Sequence, residues 1–320
     1  MKRIATILAA LAMPPLAAAC GEVGPDATAA TVTIPFAPPL DRPLHYRTQH
    51  TEWGAAGDST TSRSLFTVRF SRAGDDLVMS VSALDPDGGR QAERGFPAAL
   101  AERRFRVGPD GALLGMDNEE AYWAAVRSAL APRGPSEAET RESREMLETA
   151  RRNQAQPAGE RMLTIAQDAW PVTFYAGDSF TRAPREARIT NQTILGLLEG
   201  TSRTFAREIS GRRIVIVESF TIDGAMMQAA LDGLVARYGR RPDWLGSRHI
   251  SSIFEVTTDL DPRTGLVLRR IDRQEIVSEE AGRTLRHNVT NVLERIDMIP
   301  PLPTQPPGNA AMTVNALSER

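Results

Sequence analysis

Apolar residues recur at even spacing in five separate runs between Leu65 and Leu293, and that period confines the chain to a sheet. In the first run Phe66, Val68 and Phe70 share one face. Leu77, Met79, Val81 and Ala83 form a second face, and Ile214, Ile216, Phe220 and Ile222 a third. Phe254, Val256, Thr258 and Leu260 continue the pattern, which Leu285, Val289 and Leu293 close. Successive strand side chains point to opposite faces, so each run buries one face and solvates the other.

Turn chemistry separates the runs. Arg72-Ala73-Gly74-Asp75-Asp76, Ser210-Gly211-Arg212 and Ser278-Glu279-Glu280-Ala281-Gly282 have hairpin-loop composition. Asp261-Pro262-Arg263-Thr264-Gly265 is the clearest, with Pro fixing φ early and Gly able to take φ > 0 at the end. Long antiparallel strands joined in sequence order are the expectation. Thr61-Ser62-Arg63-Ser64-Leu65-Phe66, followed by Leu77–Val81 and Asp87-Gly88, is similar in order to Thr201–Phe205, Ile214–Glu218 and Asp223-Gly224. That similarity fits either an internal duplication or two independent hairpins of like composition.

Between the strand-rich parts the period changes to that of helices. Asp117-Asn118-Glu119-Glu120 opens one with an acidic first turn that complements the helix dipole. It runs through Tyr122, Trp123, Val126 and Leu130 until Pro132 and Pro135 stop it. Ser136-Glu137-Ala138-Glu139 has the form of a capping box and predicts a highly charged helix to about Asn153. A third is predicted over Met162 to Ala169, and a fourth over Ala225 to Tyr238.

The ends differ from this middle. Met1-Lys2-Arg3, an uncharged run from Ile4 to Leu16 and the small residues Ala17-Ala18-Ala19 make a secretory signal peptide. Cys20, the only cysteine, follows at once. Ala17-Ala18-Ala19-Cys20 resembles the lipobox of bacterial lipoproteins, with Ala17 where leucine is usual. The resemblance implies diacylglycerol on the Cys20 sulfur, and Gly21 in place of Asp implies outer-membrane sorting. The same residues fit ordinary signal peptidase, which leaves Cys20 as a free thiol in an exported chain. Gly21 to Pro39 is rich in Ala, Thr, Gly and Pro and has the composition of a tether. Pro300 to Arg320 begins with five prolines in eight residues and has that of an extended tail.

Composition excludes several chemistries. Lys2 is the only lysine, so a mature chain has no Schiff-base lysine and no phosphate-loop lysine. One cysteine cannot form an intramolecular disulfide, which leaves core burial as the source of stability. Loss of Lys2 and Arg3 takes the formal charge from −2 to −4, against a nucleic-acid partner. His45 and His50 are five apart in a strand pattern and face opposite ways, His249 opens a strand, and His287 lies on the apolar face with Leu285 and Val289. No metal site and no cofactor is predicted. Gly177-Asp178-Ser179-Phe180 resembles the first block of GDS-type serine esterases. That family's Asp-x-x-His pair is missing here, since His287 has no acid three places earlier and Asp243 to His249 is the wrong spacing. The esterase is therefore a remote alternative to a non-enzymatic role.

Trp170-Pro171-Val172-Thr173-Phe174-Tyr175-Ala176-Gly177-Asp178-Ser179-Phe180 and Thr264-Gly265-Leu266-Val267 also resemble segments of uncharacterised bacterial envelope proteins built from two β-meanders. The resemblance covers Leu44 to Asp297 and implies a half-barrel or paired curved sheet, with no activity attached. A looser likeness is to periplasmic lipoprotein carriers, in which a curved sheet and a few helices enclose acyl chains.

The resulting expectation is a mainly β (α+β) chain, with a long antiparallel curved sheet or half-barrel, either duplicated or not. Its parts are a signal peptide (1–19), lipid anchor and tether (20–40), β-rich domain (41–298) with a helical insert near 117–169, and a Pro-rich tail (299–320). The expected role is an envelope lipoprotein held to the membrane by its N-terminal lipid. Its partner is an apolar ligand lined by Phe66, Val68, Met79, Val81, Ile214, Ile216, Phe254 and Val256, unless those residues form a closed core. The alternative partner is an envelope protein, met by the charged helix and the tail.

Overall fold

Every alternating run becomes a strand of one sheet. The computed structural model describes residues 31–54, 58–84, 101–130, 148, 150–166, 169–193, 196–222, 224–238, 248–280 and 282–297. A first meander contains β2 (Leu44–Trp53), β3 (Ser59–Ala73), β4 (Asp76–Leu84), β5 (Glu102–Val107) and β6 (Leu113–Met116), preceded by the short β1 (Thr31–Thr33). Helices α1 (Glu119–Leu130) and α2 (Ala158–Ala166) follow, then β7 (Ser179–Thr181). The second meander is β8 (Arg185–Thr193), β9 (Gly196–Ile209), β10 (Ile214–Ile222), β11 (Arg248–Leu260), β12 (Val267–Glu280) and β13 (Arg283–Ile296), with α3 (Gly224–Tyr238) between β10 and β11.

The sheet has 11 strands in the order β6-β5-β4-β3-β2-β13-β12-β11-β10-β9-β8. Each neighbouring pair is antiparallel, and β6 and β8 do not meet, so the curved sheet stays open. The two meanders join where β2 pairs with β13, from Trp53↔Asn288 to His45↔Ile296. The two similar hairpins, β3–β4 and β9–β10, are the second and third strands of their respective meanders.

The loops follow the sequence closely, with one shift. Ala73 pairs with Asp76, so Gly74-Asp75 is a two-residue turn with φ +67° at the glycine. The segment from Ser278 to Gly282 supplies a shorter loop than its polarity indicates. Ser278, Glu279 and Glu280 stay in β12, paired with Leu285, Thr284 and Arg283. Ser278 is buried while Glu279 meets solvent, and the backbone ladder continues through both.

α1 and α3 begin and end where their patterns place them, within two residues. α2 starts a turn earlier than predicted, directly after Pro157, whose missing N–H is no loss at a helix start. Of the charged helix over 136–153, residues 150–154 are helical, and 136–147 lie outside the described residues. One inner face of the sheet is roofed by α1, α2 and the turns from 169 to 175, which contribute Trp123, Met162, Ile165, Val172 and Tyr175 to the main core. Glu119 fastens the two helices together, accepting from Trp123 Nε1 at 3.2 Å and pairing with Arg161. Buried Arg103 of β5 donates to the Ile165 carbonyl at 2.8 Å, satisfying an orphan acceptor of the last turn of α2.

Residues 31–40 correct the composition-based boundary of the tether. β1 pairs with β7, Ile34 is buried in the main core, and Phe36 meets Phe70 edge-on at 6.0 Å. A few apolar side chains among many Ala, Thr and Pro suffice to hold a strap whose backbone finds partners. Ile34 N–H donates to Asp178 O and Ala37 N–H to Thr264 O. The strap crosses the β11–β12 loop so closely that a Cβ on Gly265 would lie 1.7 Å from the Pro35 carbonyl oxygen. Gly265 also has φ +71°, so the loop requires glycine on two counts.

Gly265→Ala is therefore expected to destabilise the chain by about 3 kcal/mol. Gly211→Ala, with open space around the added methyl, should stay within about 0.5 kcal/mol of wild type. Thermal unfolding of the two variants side by side checks this.

Candidate functional site on the inner sheet face

The inner face changes character along its strands. At one end Phe66, Val68, Met79, Val81, Ile214 and Ile216 join the main core beneath the helices. Tyr46 stacks on Phe66 at 5.5 Å, and its hydroxyl donates to the Val267 carbonyl at 3.1 Å. At the other end a second, separate cluster holds Ile189, Phe220, Ile222, Met227, Phe254 and Ile276. Among the described residues α3 supplies its roof, through Met227 with Met226 and Ala230 beside it. The rings of Phe220 and Phe254 lie 6.0 Å apart, and Gly200 leaves room for Phe220, whose ring an added Cβ would meet at 2.6 Å.

Between these zones runs a polar band. One cross-strand row reads Arg185, Thr204, Glu218, Val256, Asp272, Asn291, His50 and Ser62, from β8 to β3. His50 Nδ1 and Asn291 Oδ1 are 2.7 Å apart. The band's most buried part is Glu218, Tyr175, Thr258 and Arg270. Tyr175 donates to the Glu218 carboxylate, and Thr258 Oγ1 donates to the Tyr175 hydroxyl at 3.4 Å. Arg270 donates through Nε to Asp272 at 2.7 Å and lies over the Phe174 ring at 5.2 Å. Burial raises the Glu218 pKa, which the Tyr175 hydrogen bond and the Arg270 charge only partly offset. The Tyr175 phenol is raised further, by burial and by the Glu218 charge. Arg270 Nη1, Thr173 Oγ1 and Ser252 Oγ are buried polar atoms without a hydrogen-bond partner among the described residues, the kind of group a water or a ligand atom satisfies.

All eight residues expected to line an apolar site are buried, none more than 6% exposed. Six lie in the main core, Phe254 in the second cluster, and Val256 within the polar band. The buried Glu218–Tyr175–Arg270 group was not among them. Its signal was the gap in the third run, where Glu218 stands at an inward position between Ile216 and Phe220. Tyr175 comes from outside the strands, and no period could have placed it there.

Ser179 of the Gly-Asp-Ser segment is an exposed residue of β7 whose hydroxyl meets that of Thr33 at 2.8 Å. The described histidines have other company. His45 Nδ1 meets Thr67, His50 meets Asn291, and buried His287 Nε2 lies 3.6 Å from Glu52. Among the described residues no three His, Cys, Asp or Glu side chains gather as a metal site. Cys20, residues 136–147 and the tail over 299–320 lie outside the described residues.

A carboxyl whose folded pKa is raised loses stability as pH climbs through its ordinary value of 4.5 toward the raised one. Below that range both states carry the proton and no penalty exists. Glu218→Gln, which can still accept from Tyr175, should therefore raise the melting temperature near neutral pH and show no gain below pH 4.5. Melting curves across pH for variant and wild type read the difference directly.

No family model matches the chain, and no curated protein matches it. A solved structure concerned with lipid–protein interactions in lipovitellin is similar over 82% of this chain, at a TM-score of 0.37 and 7% identity. The chain spans 26% of that much longer protein.

Proposed function

We propose that this chain is an exported envelope lipoprotein, acylated at Cys20, that holds an apolar ligand on the inner face of its open sheet. The observation that carries this reading is the second apolar cluster. It is separate from the core that holds the sheet to its helical roof, and among the described residues α3 covers it. Met226 and Met227 on that helix are unbranched and polarizable, suited to repacking around a guest. Ser252 beside the cluster and Arg270 in the polar band keep buried polar atoms for the ligand's own polar group. An acyl chain burying about 300 Å² there would gain roughly 7 kcal/mol gross, a useful surplus after the costs of association. No described helix is long and apolar enough to cross a membrane. In this reading the lipid at Cys20 attaches the chain. Two acyl chains there would anchor the body stably where one would not.

The test is intact-mass analysis of the full chain gently extracted from membranes. The expected result is a diacylglycerol-modified N-terminus beginning at Cys20, together with a co-purifying acyl lipid. Phe254→Trp, which fills the second cluster, should reduce that lipid about fivefold or more while the melting temperature reports that the fold is kept. Protein free of acyl species, or equal lipid in the variant, would overturn the ligand. An unmodified Cys20 would overturn the anchor.

A further inference from the structure

The outer face carries a groove of about 610 Å³ where two hairpins end at different heights. β2 and β3 finish their pairing at Trp53 and Ser59, whereas β12 and β13 continue together to Glu280 and Arg283. Asn288 is the last β13 residue paired with β2, so the far part of β13 extends beyond its neighbour. The lining takes Trp53 from β2, Arg273 and Glu275 from β12, and Thr284, Arg286 and Asn288 from β13.

Three properties of this lining point to one ligand chemistry. Trp53 is 39% exposed, an unusual position for an indole. Arg286 donates to Glu275 at 2.7 Å, and exposed Arg273 has no ion pair among the described residues. Glu255, opposite Arg273 on β11, forms no ion pair with it. The lining residues thus carry one net positive charge, Arg273 and Arg286 against Glu275, in a chain of formal charge −2. Thr284 and Asn288 add neutral donors and acceptors. A flat aromatic wall, hydroxyl-binding side chains and an exposed guanidinium suit a sugar ring bearing a carboxylate. The C–H face of the ring packs on the indole, its hydroxyls reach the Thr and Asn side chains, and the carboxylate takes a charge-assisted bond from arginine. A nucleic-acid strand would need a row of cations along its phosphates, and the groove has one to spare.

We infer that this groove binds an acidic saccharide, with the ring against Trp53 and the carboxylate on Arg273. The site lies on the face opposite the apolar clusters and stands independently of the lipid reading. The experiment is calorimetric titration of the full chain with an oligogalacturonate, the neutral galactose oligomer of equal length and an oligoglutamate peptide. The acidic saccharide should bind about tenfold or more tightly than the neutral one. Trp53→Ala and Arg273→Gln should each weaken it by about tenfold, while Arg69→Gln, an exposed change on β3 outside the groove, should leave it unaltered. Absence of binding, equal affinity for acidic and neutral sugars, tighter binding of the peptide, or wild-type affinity in either groove variant would overturn the assignment.

Discussion

The pairing of β2 with β13 holds the rest of this architecture in place. Each meander is built from neighbours in sequence, and local hairpins alone would yield two separate sheets. The nine-residue register from Trp53↔Asn288 to His45↔Ile296 fuses them, and the surrounding contacts depend on that fusion. Tyr46 on β2 donates to Val267 at the start of β12 and stacks on Phe66 of β3, so one buried side chain connects both halves. The strap over 31–40 reinforces the joint, touching the β11–β12 loop of one meander and Phe70 of the other. Closing a loop of more than two hundred residues is entropically costly, so β2–β13 pairing is expected late in folding, after the hairpins have formed.

Much of the fold was legible because its strands are half-buried. Phe66, Val68, Met79, Val81, Ile214 and Ile216 carry a two-residue period, since one side of each strand meets the core. Asp261 to Gly265 was equally plain, as few residues besides glycine could follow that turn and pass under Pro35. Residues 31–40 were misread because a strap is held by its backbone partners and by Ile34 alone in the deep core, a signal too sparse for composition. The candidate site was legible only as an apolar surface. Its division into two apolar zones by a polar band depends on cross-strand register, and a strand's own sequence does not state which residue will lie beside it.

That band makes the inner face more demanding than a simple core. Glu218, Tyr175, Thr258, Arg270 and Asp272 partner one another where water is scarce, apart from Arg270 Nη1, and an unpaired charge there is far more costly than a mispacked methyl. Such a network contributes little net stability against well-packed apolar residues of the same size. It does fix one register among β10, β11 and β12, because a one-residue slip would turn Glu218 and Arg270 to the outer face and leave Tyr175 without its acceptor. The outer face is organised differently, with solvent-accessible ion pairs such as Arg47–Glu294 and Arg213–Glu208 that water screens.

An open sheet of this size has two ends, and they are protected by different means. β6 is only four residues long, too short to template another strand. β8 is longer, and its described exposed side chains, Arg185, Glu186 and Arg188, are charged. Neutralising those charges would leave a bare ladder at one end of every molecule. With β6 too short to serve as a partner, the bared β8 edge would meet the same edge of another copy, antiparallel about a two-fold axis. Such a contact uses up both edges at once and closes as a dimer rather than growing into a filament.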